Sequence, residues 1–272
     1  MAAVLWVAPV AALTEAQALE AVDRFMGAWN SESPEAFAAT LQYPHVRPAA
    51  RGGERVFADA SLYAAGIDFA AVRATGWRRS AFISKRVVHL GSKKAHVAGS
   101  YKRFRGDGSE IWTNQVTYVV TENDGGRIGV QARFAAGVGG DDPTALDTAK
   151  VAALATVEAY LRSFNDRDEV SWAATLNYPH VRVASGGVTT WATADDYVEY
   201  FDFDRFAARF GWHHSAWESI EAVQLAPEAV NVALVFSRFD ADDNKLATFN
   251  TLYLVTRQDG HWGIRSRSSF AP

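Results

Sequence analysis

Two histidines, each followed two residues later by an arginine, raise the question of chemistry in this sequence. They are His45 with Arg47 and His180 with Arg182, each inside a Tyr-Pro-His-Val-Arg run. An imidazole with a pKa near about 6.5 can take up a proton at neutral pH, and a neighbouring guanidinium can hold the anion formed. That pairing suits a cofactor-free dehydratase or cyclase. Tyr160 adds a phenolic donor, and Asp202, within Phe-Asp-Phe-Asp-Arg-Phe, adds a carboxylate among aromatic rings. His45, His180, Tyr160 and Asp202 are therefore the candidate acid–base groups. The alternative is structural: His and Arg hydrogen-bond a helix end or sit where two parts of the chain meet. Strand alternation puts His and Arg on one face and Val46, or Val181 and Val183, on the other.

Other chemistries find little support. The chain has no cysteine, which excludes disulfides, thiolate metal sites and cysteine nucleophiles. Cysteine-free composition fits a bacterial cytoplasm, with the periplasm as the other option. His213 and His214 are adjacent, so a strand would face them opposite ways, and no His-Glu-x-x-His spacing occurs; no metal is expected. Gly137-Val-Gly-Gly140 has no strand–turn–helix frame for a dinucleotide, and no Gly-x-Ser-x-Gly elbow is present, so no cofactor is expected. A net charge of −4 provides no basic face for nucleic acid and no polybasic segment for a membrane. Residues 1–13 form an apolar extension, too short to span a bilayer and without the leading Lys or Arg of a signal peptide.

The elements that must position these residues come in duplicate. Residues 38–47 and 173–182 agree at nine of ten positions, 135 residues apart. The match extends to Trp29-Asn30 and Phe164-Asn165, to Gly76-Trp77 and Gly211-Trp212, and to Arg103-Phe104 and Arg238-Phe239. It slips by one residue before Gly129 and Gly263, where Arg133 meets Arg267. A period of this length is a whole small domain, not a solenoid unit. The expected domains are 14–135 and 149–272, joined by a Gly- and Asp-rich linker at 136–148. Each begins with an amphipathic helix; in the second, Val151, Leu154, Val157, Leu161 and Phe164 mark its apolar stripe. A short helix follows, capped by Ser33 before Pro34 in one copy and by Asp166 or Asp168 in the other. Next come the Tyr-Pro-His-Val-Arg strand and a third helix from Thr193 to about Gly211. Strands are expected at 212–225, 230–240, 246–257 and 262–270, with turn-forming residues between them. Helices segregated from an antiparallel meander mean an α+β fold.

Tyr160-Leu-Arg-Ser-Phe-Asn165, the Pro-His-Val-Arg strand, Thr193-Ala-Asp-Asp196 and Asp259-Gly-His-Trp-Gly-Ile264 carry a resemblance. Each half resembles the nuclear transport factor 2-like superfamily, in the branch that includes ketosteroid isomerase and the SnoaL-type polyketide cyclases. The resemblance implies two cone-shaped domains, each with three helices packed on a strongly curved antiparallel sheet. It also implies an intrachain pseudo-dimer through the outer faces of the sheets, with further homo-oligomerisation left open. Of the isomerase roles, the tyrosine donor falls on Tyr160 but on Phe25 in the first copy. The base falls on Val183 or Ala184 and on Pro48 or Ala49, and the second donor near Asn250–Leu252, where there is no carboxylate. By that alignment the valine face of the strand lines the pocket, and His and Arg point away. The resemblance implies no cofactor. The expected function is binding of a small apolar or aromatic molecule in the cone, without assignable catalysis. An isomerase, dehydratase or cyclase, or an interaction scaffold with filled cones, are the alternatives. Trp77, Arg103, Tyr118, Tyr160, Trp212, Arg238, Asn250 and Tyr253 are the expected ligand contacts, with Trp217, Phe236 and Phe249 nearby. Arg103 and Arg238, set in apolar strands, can grip a ligand carboxylate or form a structural ion pair.

Overall fold

A computed structural model describes residues 12–48, 55–138, 142–184 and 187–271. The first half runs α1 (Glu15–Asn30), α2 (Pro34–Ala38), β1 (Leu41–Arg47), β2 (Arg55–Phe57), α3 (Ala60–Ala65), α4 (Phe69–Ala74), β3 (Arg79–Leu90), β4 (Lys94–Phe104), β5 (Glu110–Glu122) and β6 (Ile128–Val138). The second half repeats the order: α5 (Pro143–Asn165), α6 (Glu169–Ala174), β7 (Leu176–Ala184), β8 (Gly187–Trp191), α7 (Ala194–Tyr200), α8 (Phe203–Phe210), β9 (His214–Ala226), β10 (Ala229–Phe239), β11 (Lys245–Gln258) and β12 (His261–Ser269). Each half builds a six-stranded sheet, ordered β2-β1-β6-β5-β4-β3 and β8-β7-β12-β11-β10-β9. The sheets are mixed, not purely antiparallel, because β1 runs parallel to β6 and β7 parallel to β12.

Local chemistry explains most boundaries. Thr14 and Thr193 form capping boxes with Gln17 and Asp196, and Ser33 and Asp168 cap α2 and α6. Asp166 instead ends α5 as its C-cap. The third helix expected from Thr193 to Gly211 is two helices. Phe201 is extended, and Asp202 accepts from Arg205 N at 2.8 Å to start α8. A carboxylate that bonds the backbone N–H three residues on favours a new first turn over continuation. Gly211, at φ 64°, supplies the left-handed residue that closes α8. The expected linker also shrinks: Ala136–Val138 belong to β6, while Pro143–Thr148 are the first turns of α5, with Asp142 as its N-cap. Asp-Pro is the N-cap and first-position pair, and it outweighs the glycine-rich composition around it. Residues 1–11 of the expected extension lie outside the described residues; Leu13 is buried and its N–H donates to Ser92 O at 2.8 Å. Within α5 the buried stripe is Ala149, Ala153, Val157 and Tyr160, and the expected core residue Val151 is exposed. Small residues let the helix lie close to the sheet, so the packed face follows the alanines.

Many of the repeated residues are architecture with satisfied polar atoms. Asn165 Nδ2 donates to Ser215 O at 2.8 Å while its Oδ1 accepts from Ser215 N at 2.9 Å; Asn30 does the same with Ser80. The indoles of Trp77 and Trp212 donate to the hydroxyls of those serines at 2.9 Å. Tyr43 and Tyr178 donate to Ala38 O and Ala173 O, both at 2.9 Å, and both Tyr-Pro bonds are cis. These ties pin the first helix and the strand entry of each cone. Asn165→Ala deletes two bonds and strips the Ser215 backbone N–H and C=O of these partners, so a loss of about 2–4 kcal/mol is expected. Urea midpoints of this variant and of Asn30→Ala measure it; an unchanged midpoint would rule the ties out as structural supports.

The two halves meet through the outer faces of their sheets. Val46, Val119, Ala132 and Phe134 pack with Val181, Val183, Leu252 and Leu254 in one buried cluster. Polar side chains reach across it, though Asn231 Oδ1 is left without a partner. Gln224 Nε2 donates to Gly99 O at 2.8 Å, Thr117 donates to Gln224 Oε1 at 2.9 Å, and Asn231 Nδ2 donates to Phe134 O at 2.7 Å. Toward one edge, Lys94 donates to Val183 O and Ser269 O, and His96 bonds Ser268. The chain is thus an intrachain pseudo-dimer.

Candidate functional site

The second cone holds a partly open cavity of about 340 Å³. Its floor is the concave face of the sheet, with Trp217 from β9, Phe236 and Arg238 from β10, Thr251 and Tyr253 from β11, and Arg267 from β12. α5 contributes Tyr160, and α7 and α8 close it with Tyr197, Phe206 and Phe210. Aromatic side chains dominate because the curled sheet and the short helices leave a wedge that small residues would not fill. Tyr160 and Tyr253 meet edge to face at 5.5 Å, and Trp172 and Tyr197 lie 4.6 Å apart.

Arginine is the charged residue of this wall. Arg182, Arg209, Arg238 and Arg267 line the cavity, and no Asp, Glu or His is found among the described lining residues. Arg267 donates to the hydroxyls of Tyr160 and, at 2.8 Å, Tyr197. Burial lowers its pKa to about 9. Arg238 lies 4.8–5.8 Å from the centres of four rings, those of Phe206, Phe210, Phe236 and Phe249. Burial first, then the charge of Arg182, lowers its pKa to about 10. Neither Arg238 nor Arg267 has a carboxylate partner among the described residues.

Of the expected ligand contacts, the structure brings Tyr160, Arg238 and Tyr253 into this cavity, together with Trp217 and Phe236. Trp212 is buried behind it against Phe164 and Phe206, held by Ser215. Asn250 lines a different, more polar groove of about 770 Å³ between the halves, where Lys93, Lys94 and Asp124 also sit. Trp77, Arg103 and Tyr118 belong to the first cone. There Trp77 is tied to Ser80, Arg103 lies over Trp29 and Trp112, and Tyr118 packs on Phe25 and Phe82. The first cone's rings pack closely, with Phe25–Phe37 at 4.7 Å and Phe57–Tyr63 at 4.5 Å.

The acid–base candidates fare differently from expectation. The valine face does not line the pocket: Val46, Val181 and Val183 are in the core between the halves. His45 and His180 turn toward the cones instead, each behind a layer of rings. His180 Nδ1 donates to Ile264 O at 2.8 Å and its ring stacks on Trp191; His45 Nδ1 donates to Val130 O at 3.0 Å beside Tyr63. Both are fully buried. Burial pushes His180 down to about 3 and His45 well below its ordinary value. A neutral imidazole so hard to protonate makes a poor base, and neither ring is part of the described cavity wall. Asp202 caps α8 and is likewise not part of that wall. His213 and His214 do not face opposite ways, since His213 precedes β9; their rings meet edge to face at 5.5 Å. The sequence reading missed Trp191, Tyr197 and Phe206 as wall residues. Arg267 had a visible signal, an arginine repeated at Arg133 within an apolar strand.

The duplication coincides with a duplicated family match. A family described as NTF2-like protein (DUF6841) matches residues 15–131 and again 150–270. A search of curated proteins finds no significant match. Among solved structures, a protein of unknown function with a cystatin-like fold from Nostoc punctiforme is similar at 13% identity and a TM-score of 0.39, over 44% of this chain and 89% of that one. A ketosteroid isomerase-like protein from Erwinia carotovora atroseptica is similar at 20% identity and a TM-score of 0.35, over 44% and 93%. An NTF2-like protein with a cystatin-like fold from Novosphingobium aromaticivorans shares 10% identity at a TM-score of 0.40, over 48% and 91%. No helix among the described residues is long and apolar enough to cross a membrane.

Proposed function

The chain belongs, in both halves, to the NTF2-like protein (DUF6841) family, and on that premise we propose that it is a binding protein whose second cone holds a small, flat, largely apolar molecule. The observation that carries the reading is the 340 Å³ cavity walled by Tyr160, Trp217, Phe236 and Tyr253. Its size lies within the range of roughly 300–1,000 Å³ usual for small-molecule sites, and its walls offer ring faces on several sides. Binding is favoured over turnover because the described wall has neither carboxylate nor imidazole to move a proton.

Thermal unfolding in the presence of neutral flat aromatics, such as 2-naphthylmethanol, tests the proposal. A ligand selective for the folded state adds about 2.7 kcal/mol at a hundredfold excess over Kd, so the unfolding temperature should climb with concentration. Leu161→Trp places an indole in the lining and should blunt that climb. If no flat aromatic moves the transition at millimolar concentration, the cone is not a binding site.

A further inference from the structure

Resting on the reading of the second cone as a binding site, we infer that its ligand is an aromatic organic acid, held by Arg238 and Arg267 against the indoles of the wall. The wall's unsatisfied polar atoms are all donors. Arg238 Nε, Arg267 Nε and the Nε1 atoms of Trp172, Trp191 and Trp217 are buried without an acceptor. All five side chains line the same cavity. Trp172 and Trp191 are themselves 2% and 4% exposed. These five atoms are sealed from solvent and do not face the space themselves; what the wall presents to it is the Arg238 guanidinium, which has no carboxylate partner among the described residues, and a donor group so placed calls for an acceptor. Ring faces around Arg238 hold its charge by cation–π contact but leave Nε without an acceptor.

Charge points the same way. Arg238 and Arg267 share a wall with no described carboxylate, and burial, then the charge of Arg182, lowers the Arg238 pKa. Like charges crowded in a low-dielectric space are relieved by an anion, and a planar guanidinium matches a planar carboxylate. The motif is also repeated. Arg103 and Arg133 occupy the corresponding places in the first cone, and their Nε atoms are orphaned too. The repeated Asn, Ser and Trp residues satisfy one another; of the repeated arginines, Arg133 and Arg267 donate to tyrosine hydroxyls, whereas Arg103 and Arg238 lie over aromatic rings.

Calorimetric titration of the full chain with 2-naphthoate, with the neutral isostere 2-naphthamide and with inorganic phosphate tests the inference. Naphthoate should bind at least about tenfold tighter than the amide, as a charge-assisted bond is roughly twice as strong as a neutral one. Arg238→Gln should erase most of that difference in the ratio of acid to amide affinity. Equal binding of acid and amide overturns the acid preference but leaves the aromatic cavity standing. No binding of either overturns both. Phosphate that binds as tightly as naphthoate and displaces it overturns the aromatic acid in favour of a small inorganic anion. An Arg238→Gln protein that still prefers the acid by the same factor removes Arg238 from the role. Should that variant fail to fold, the acid-to-amide ratio on the unmodified chain decides alone.

Discussion

Acidification from about pH 6.5 to about pH 4 is expected to unfold this protein in a steep transition, because four histidines are buried in their neutral form. His45 and His96 are held well below their ordinary pKa, His89 is lowered to about 4 and His180 to about 3, with burial the first cause for each. Cations reinforce it: Arg133 and Arg47 beside His45, Arg265 and Arg182 beside His180, Arg86 beside His89, and Lys94 beside His96. The unfolded chain takes up protons near about pH 6.5, while the folded chain refuses them until far lower. Stability is therefore complete above the unfolded value and lost as pH falls toward the folded values. Each histidine contributes a slope of about 1.4 kcal/mol per pH unit within its window, and four together up to about 5 kcal/mol per unit. Two such units remove about 10 kcal/mol, as much as the middle of the usual range of net stability, about 5–15 kcal/mol.

Lys94 extends the profile on the other side. Burial, then Arg182, lowers it to about 7, below its unfolded value of about 10.4, so the folded chain releases its proton first and stability rises further above about pH 7. Urea midpoints between about pH 4 and pH 9 measure both limbs. His180→Asn keeps a donor for Ile264 O and should flatten the acid limb by about one proton. A midpoint that stays level down to about pH 4.5 would show that these imidazoles titrate freely and that the packing around them is wrong.

The other large effect belongs to a methyl group. In Gly263→Ala the new Cβ would stand 2.8 Å from Leu176 C and 2.9 Å from Asn177 N, both backbone atoms of the parallel neighbour β7. Neither atom can swing aside as a side chain would, so β12 and β7 must part. The expected loss is about 3 kcal/mol, the upper end for overpacking. Gly129→Ala repeats the experiment in the first half, where Thr40 O lies 2.7 Å from the Cβ position. Gly27→Ala is the contrast: nothing lies within 4 Å of its Cβ, and it sits inside α1, so a gain of about 0.5–1 kcal/mol is expected. Chemical denaturation of the three variants separates the outcomes. Equal midpoints for Gly263→Ala and the parent would contradict the close parallel approach that starts each cone.

Much of the architecture is legible in the residues because it is local. The strands expected at 212–225, 230–240, 246–257 and 262–270 are β9 to β12 within about two residues at each end, since period-two runs and turn residues act within a few positions. Thr193 with Asp196, and Ser33 with Pro34, mark helix starts for the same reason. The duplication is equally plain, but not which repeated residues are scaffold: Trp212 reads as a ligand contact, and only the structure shows that Asn165, Trp212 and Ser215 recur because each satisfies another.

The sequence by itself determined that His180 and Arg182 share one face of their strand and that Val181 and Val183 share the other, because the strand period is two. Only the tertiary structure decided which face looks into the cone. His180, Val181 and Val183 are all fully buried, the first behind the wall of the cavity and the valines between the two halves. Alternation shows which side is buried only where the opposite side meets water, and on this strand neither side does.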